Sequence, residues 1–136
     1  MNFISPELWE NYRRSEYRIG PPFNLTLRVN QPATGLPDGP WAFLTAWNPR
    51  SEPKSESENR AKQLELETLL RNEGVRCVPA LGWDPIQEWA DEECILALGL
   101  QRERALELGR QYGQNAVLVG VGEGPVQLVE CRDIQK

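Results

Sequence analysis

The chain has 136 residues, 40% apolar and 26% charged, with 15 basic residues against 20 acidic for a formal charge of −5. That is the size of one domain with one core. The acidic balance, with no basic run, disfavours electrostatic capture of nucleic acid or an anionic membrane, though it leaves room for a local cationic pocket. Histidine is absent, which removes the usual metal ligand and the usual neutral-pH general base. No metal site or cofactor is expected, and any catalysis must use carboxylates, a perturbed cysteine or positioning alone.

The N-terminus Met1-Asn2-Phe3-Ile4-Ser5-Pro6-Glu7 has neither the basic start nor the apolar stretch of a signal peptide. Residues 6–14 read as a short helix, with Ser5 as N-cap and Pro6 at the first helical position. Residues 23–30 alternate apolar and polar like a half-buried edge strand. Residues 31–40, rich in proline and glycine, read as a surface loop.

Residues 41–47 are apolar on both faces, which suits an interior strand: Trp41, Phe43, Thr45 and Trp47 point one way, Ala42, Leu44 and Ala46 the other. Ser55-Glu56-Ser57-Glu58 fits a capping box opening a long helix at 56–73, closed by Gly74. A strand at 75–80 leads into a turn-rich stretch from Gly82 to Glu92. Then come a strand at 93–98, a helix at about 101–112 closed by Gly113, and strands at 115–121 and 126–130 joined by a hairpin turn at 122–125. No run of apolar residues is long enough to span a bilayer. Cys77, Cys94 and Cys131 lie far apart inside apolar runs, reading as buried hydrophobes in a reducing cytoplasm.

This order, with short connections and right-handed crossovers, predicts an α+β fold. We expect a two-layer sandwich with a ferredoxin-like βαββαβ core, plus an added N-terminal helix and edge strand. The alternative is a three-layer α/β arrangement. Residues 1–136 are taken as a single domain, with its core at about 15–130.

Helical phase places the candidate site. Leu66, Leu69, Leu70 and Glu73 mark one side of the long helix, and that stripe projects back onto Asn59 and, slightly off-centre, Gln63. Asn59 should therefore face inward, where an unpartnered amide costs about 1–3 kcal/mol. Two readings are open. Asn59 ties down the loop at 48–51 as a clasp, or Asn59 and Arg50 line a polar pocket suited to a carboxylate or phosphate. Glu52, Glu56 and Glu58 weaken the helix start as an anion site.

In the second helix, Gly109 implies a close approach to the sheet. Gln114 and Asn115 are turn polars or pocket donors. The carboxylates near turns and strand ends are Glu58, Asp84, Glu88, Asp91, Glu92 and Glu93, with Glu93 a candidate partner for Arg50 or Arg60. Trp83 and Trp89 bracket the Asp84-Pro85 turn and either pin the loop or stack on a flat ligand.

The runs Trp41-Ala42-Phe43-Leu44-Thr45-Ala46-Trp47-Asn48-Pro49-Arg50-Ser51, then Ser55, Glu58-Asn59-Arg60, Gly82-Trp83-Asp84-Pro85 and Tyr112-Gly113-Gln114-Asn115-Ala116 resemble a bacterial family known as domain of unknown function 3293, over about residues 15–129. The resemblance implies a small cytoplasmic bacterial protein with no assigned activity and no catalytic residues to carry over. Its motif residues Asn48, Arg50, Ser51, Ser55, Glu58, Asn59 and Gln114 coincide with the positions reached above. Ile86-Gln87-Glu88 departs from the family's glycine-containing turn.

The leading expectation is a binding or regulatory module for a small anionic ligand, held by Asn48, Arg50, Ser51, Ser55, Glu58, Asn59 and Gln114. A protein–protein interaction module, including self-association, comes second. An enzyme using Glu58 or Glu93 for proton transfer, with Arg50 stabilising charge, comes third.

Overall fold

Period-two alternation assigns each strand residue to one of two apolar cores in this computed structural model, which describes residues 4–49, 52–88 and 90–131. The elements are α1 (Pro6–Arg14), β1 (Glu16–Ile19), β2 (Leu25–Leu27), β3 (Pro40–Leu44), α2 (Glu56–Asn72), β4 (Arg76–Trp83), β5 (Glu92–Leu98), α3 (Arg102–Gln111), β6 (Ala116–Val121) and β7 (Gln127–Glu130). All seven strands form one antiparallel sheet in the order β2-β1-β4-β5-β3-β6-β7.

On one face Ala42, Leu44, Ile95, Ala97, Val117 and Val119 pack under Leu66 and Leu70 of α2 and Ala105 and Leu108 of α3. On the other face Trp41, Phe43, Val78, Cys94, Leu96 and Leu118 form a second cluster with Ile19, Leu27, Ala33, Leu36 and Val126. Among the described residues no helix contributes to that second cluster. The chain following β2 reaches across to the β6–β7 turn instead: Asn30 N donates to Val126 O at 2.8 Å, Val126 N donates to Gln31 O at 2.9 Å, and Pro32 bridges Pro125. The sheet thus curls into a half-barrel whose concave side is filled by its own strands and the loop carrying Ala33 and Leu36.

This corrects the expected ferredoxin-like two-layer core, and the three-layer alternative with it. A two-layer sandwich leaves one sheet face wet, whereas β3 and β5 are apolar on both faces and the second face must also be buried. Curling one wide sheet satisfies it. The expected single edge strand is in fact the β1–β2 hairpin. β1 has only four residues and follows α1 directly, so no turn signal announces it.

The helix starts form as their sequences dictate. Ser5 Oγ accepts from Leu8 N at 3.1 Å. In α2, Ser55 Oγ accepts from Glu58 N at 3.1 Å while Glu58 Oε1 accepts from Ser55 N at 3.2 Å, closing the capping box. Gly109 lies where a methyl group would meet Cys131 Sγ at 2.7 Å, so α3 sits close against the sheet.

Trp41 fixes the concave core from beneath. Its indole, 1% exposed, donates Nε1–H to Gly122 O at 2.9 Å and lies where a methyl on Gly120 would stand, 2.3 Å from Cζ2. Gly120→Ala is therefore expected to lose about 1–3 kcal/mol by overpacking. A urea midpoint indistinguishable from the parent chain would contradict this packing.

Candidate functional site

The end of β3 is governed by side chains that take over its backbone hydrogen bonds. Thr45 Oγ1 donates to Glu93 O at 2.6 Å and accepts from Trp47 N at 3.0 Å. Gln63 Oε1 accepts from Ala46 N at 2.9 Å. The ladder therefore stops at Leu44, short of the expected residue 47. Asn48 adopts a left-handed φ of 45°, a conformation asparagine tolerates better than most residues.

Asn48 and Asn59 then bind each other reciprocally. Asn48 N donates to Asn59 Oδ1 at 2.9 Å, and Asn59 Nδ2 donates to Asn48 Oδ1 at 2.8 Å. Asn48 Oδ1 also accepts from Lys54 N at 3.0 Å. Asn59 is 3% exposed, as its helical phase requires, and its amide holds the loop as a clasp. Gln114 completes the corner by donating Nε2–H to Trp47 O at 3.1 Å. Beside it Gly113, at φ 70°, faces Pro49 so closely that a methyl would stand 2.9 Å from Pro49 Cβ. The motifs around Trp47-Asn48-Pro49, Asn59 and Gly113-Gln114 are thus adjacent in space.

Of the residues expected at the site, Asn48, Ser55, Glu58, Asn59 and Gln114 are drawn into or beside this corner. Ser55 and Glu58 serve the helix cap, and the Ser55 hydroxyl holds the Glu58 carboxyl below its ordinary range. Arg50 and Ser51 lie outside the described residues, as does Trp89. Glu93 turns outward to Arg60, Oε1 to Nη1 at 3.1 Å.

The free amide group of Asn48 points elsewhere, donating Nδ2–H to Glu92 Oε2 at 3.3 Å. Glu92 borders a cavity of about 100 Å³ at the end of the concave face, beneath α1. Tyr17, Phe43, Leu118 and Leu128 supply its apolar wall, while Asn11, Tyr12 and Asn115 close the polar side. Burial pushes the Glu92 carboxyl up to about 7, the Asn48 amide opposing only in part. Cys94, two residues along the same strand, is pushed up by burial and by the Glu92 charge. Its thiol stays protonated at neutral pH.

The other carboxylate lining the cavity is in the opposite condition. Asp84, 3% exposed, accepts from Arg14 Nε at 3.1 Å and Nη2 at 3.2 Å, and from Asn11 Nδ2 at 3.2 Å. It also accepts from Ile86 N at 3.2 Å and Glu88 N at 2.9 Å. The Arg14 hydrogen bonds hold it below its ordinary value. Asp84 thus fastens α1 over the cavity and shapes the loop at 84–88.

Sequence reasoning placed Glu92 among turn carboxylates and did not single it out. Its signal was the strand phase. Glu92, Cys94 and Leu96 share one side of β5, and Glu93, Ile95 and Ala97 the other, so Glu92 had to face the same interior as Leu96. Strand phase placed Phe43 beside Trp41, but Tyr12 and Tyr17 had no comparable signal, because only the curl of the sheet and the seat of α1 bring them to it.

A family model described as "Protein of unknown function (DUF3293)" matches residues 44–117, from the end of β3 into β6, a span that includes the clasp and Glu92. No curated protein and no solved structure matches the chain. With more than half of its length matched and the matched motifs converging on one corner, the chain belongs to the DUF3293 family of proteins of unknown function.

Proposed function

We propose that the protein is a small-molecule binding module whose ligand sits in the cavity at the end of β3, under α1. The observation that carries this reading is a buried carboxyl, Glu92, set at the wall of a mostly apolar hollow and held, among the described residues, by one long hydrogen bond from Asn48. Pockets with apolar walls and a few convergent polar groups are the usual form of small-molecule sites, and a carboxyl displaced this far marks a functional candidate. The anionic ligand expected at the neighbouring corner rested on Arg50, whereas the amides of Asn48 and Asn59 are engaged with each other and with main chain. The cavity beside that corner is the better receptacle.

At about 100 Å³ it suits a ligand of roughly four to six heavy atoms, since a cavity of about 150 Å³ accepts benzene. The test is a fragment screen by heteronuclear NMR with the variant Ala116→Leu. Ala116 lines the cavity on the same side of β6 as Leu118, so the larger side chain fills the space. Fragments of this size should shift resonances of Tyr17, Phe43, Leu118 and Leu128 in the parent chain and leave A116L unmoved. Shifts absent from these residues, or equal in the variant, would remove the pocket from consideration.

A further inference from the structure

The charge on the cavity wall is one-sided. Among the described residues no lysine or arginine lines it. Of the two carboxylates there, Asp84 is saturated by Arg14, Asn11 and two backbone amides, and Glu92 has no cationic partner among the described residues. The groups that face Glu92 from neighbouring elements are neutral or acidic: Tyr12 on α1, Tyr17 on β1, Asp84 at the end of β4, and Cys94 on its own strand. Tyr17 and Cys94 are both pushed up by burial and by the Glu92 charge.

The other polar groups are already engaged. Tyr17 Oη donates to Tyr12 O at 2.5 Å, and Asn115 Nδ2 donates to Tyr12 Oη at 3.1 Å. Among the described residues, what the cavity lacks is a cation. What it offers is one carboxylate and an apolar wall.

Resting on the small-molecule reading above, we propose that the ligand is a short primary alkylamine bound as its ammonium ion, with nitrogen on the Glu92 carboxylate and the alkyl body against Tyr17, Phe43, Leu118 and Leu128. An ammonium–carboxylate contact in a partly dry site is among the stronger hydrogen bonds available. It also supplies the counter-charge whose absence makes an ionised Glu92 costly. An alkylammonium, like lysine, stays protonated across neutral pH. Only the carboxyl therefore changes state on binding, and below its own titration the complex forms with release of one proton.

Isothermal titration calorimetry with isobutylamine, isobutanol and isobutyrate tests this on the intact chain, at pH 6 and pH 8, in two buffers of different ionisation enthalpy. At pH 8 isobutylamine should bind about tenfold or more tighter than isobutanol, with isobutyrate weakest. From pH 8 to pH 6 its affinity should fall several-fold, approaching about tenfold per unit once below the carboxyl's titration, with proton release at the lower pH. In Glu92→Gln the amine preference and the proton release should both vanish while isobutanol binding persists. Equal binding of amine and alcohol, or a preference that survives E92Q, overturns the amine assignment and leaves the pocket standing. If none of the three binds, or A116L binds as the parent does, both the assignment and the pocket fall.

Discussion

Asp84→Ala is expected to destabilise the protein by about 2–4 kcal/mol, the largest single loss among the substitutions considered. Removing one partner of a buried ion pair typically costs about 3–5 kcal/mol, because the remaining charge is left without compensation. Arg14 is 24% exposed on its side chain and keeps a second partner, Glu88 Oε1 at 2.9 Å, which lowers the figure. Against that, Asn11 and the amides of Ile86 and Glu88 lose their acceptor in the same step. Asp84→Asn, which keeps an oxygen for some of these donors, should lose less. Chemical denaturation at pH 6 measures both, and a D84A midpoint within error of the parent would refute the network.

The pH dependence follows from the direction of the shift. Arg14 holds the Asp84 carboxyl below its ordinary 3.8. Its contribution is therefore fully present above that value and is lost as pH falls through the depressed folded-state value.

The second large effect has the opposite sign. Glu92→Gln should stabilise the protein at pH 8 by about 3 kcal/mol, from a carboxyl moved from its ordinary 4.5 to about 7 in the fold. A raised folded-state pKa means that the native chain holds the proton more tightly than the unfolded one. The favourable contribution is complete below pH 4.5 and is lost as pH rises through about 7. Parent and E92Q should accordingly converge near pH 4.5 and diverge toward pH 8, with glutamine still able to accept from Asn48. Denaturation midpoints that run parallel across this range would show that Glu92 is not buried as described. Taken with Asp84, the two carboxyls together contribute most near pH 4 to 4.5, above the ordinary value of Asp84 and below that of Glu92.

The parts of this fold that could be read directly from residues were those governed by local chemistry. The Ser5 cap, the Ser55–Glu58 box and the inward turn of Asn59 depend on neighbours within one or two helical turns. They appear as their spacing requires. Trp41 and Phe43 alternating with Ala42 and Leu44 likewise announced an interior strand. What escaped was the closure of the second apolar face.

Nothing near Leu27 or Ala33 indicates that they share a core with Val126, since their pairing depends on how far a wide sheet twists and coils. The cavity was hidden for the same reason. Its walls come from α1 and from β1, β3, β4, β5, β6 and β7, which strand phase alone does not bring together. The clasp and the cavity meet at Asn48, whose oxygen serves Lys54 and Asn59 and whose amide serves Glu92.

The contact between Pro32 and Pro125, about 90 residues apart, works as a zip for the whole sheet. It is fastened by few bonds, chiefly those of Asn30, Ala33 and Val126, and it closes a long loop, which costs chain entropy. The amides of Asn30, Ala33 and Val126 are therefore expected to exchange with solvent sooner than those of β3 and β5, as hydrogen exchange would measure. Opening there would bare the concave core while leaving the bonds of the helix-covered layer untouched.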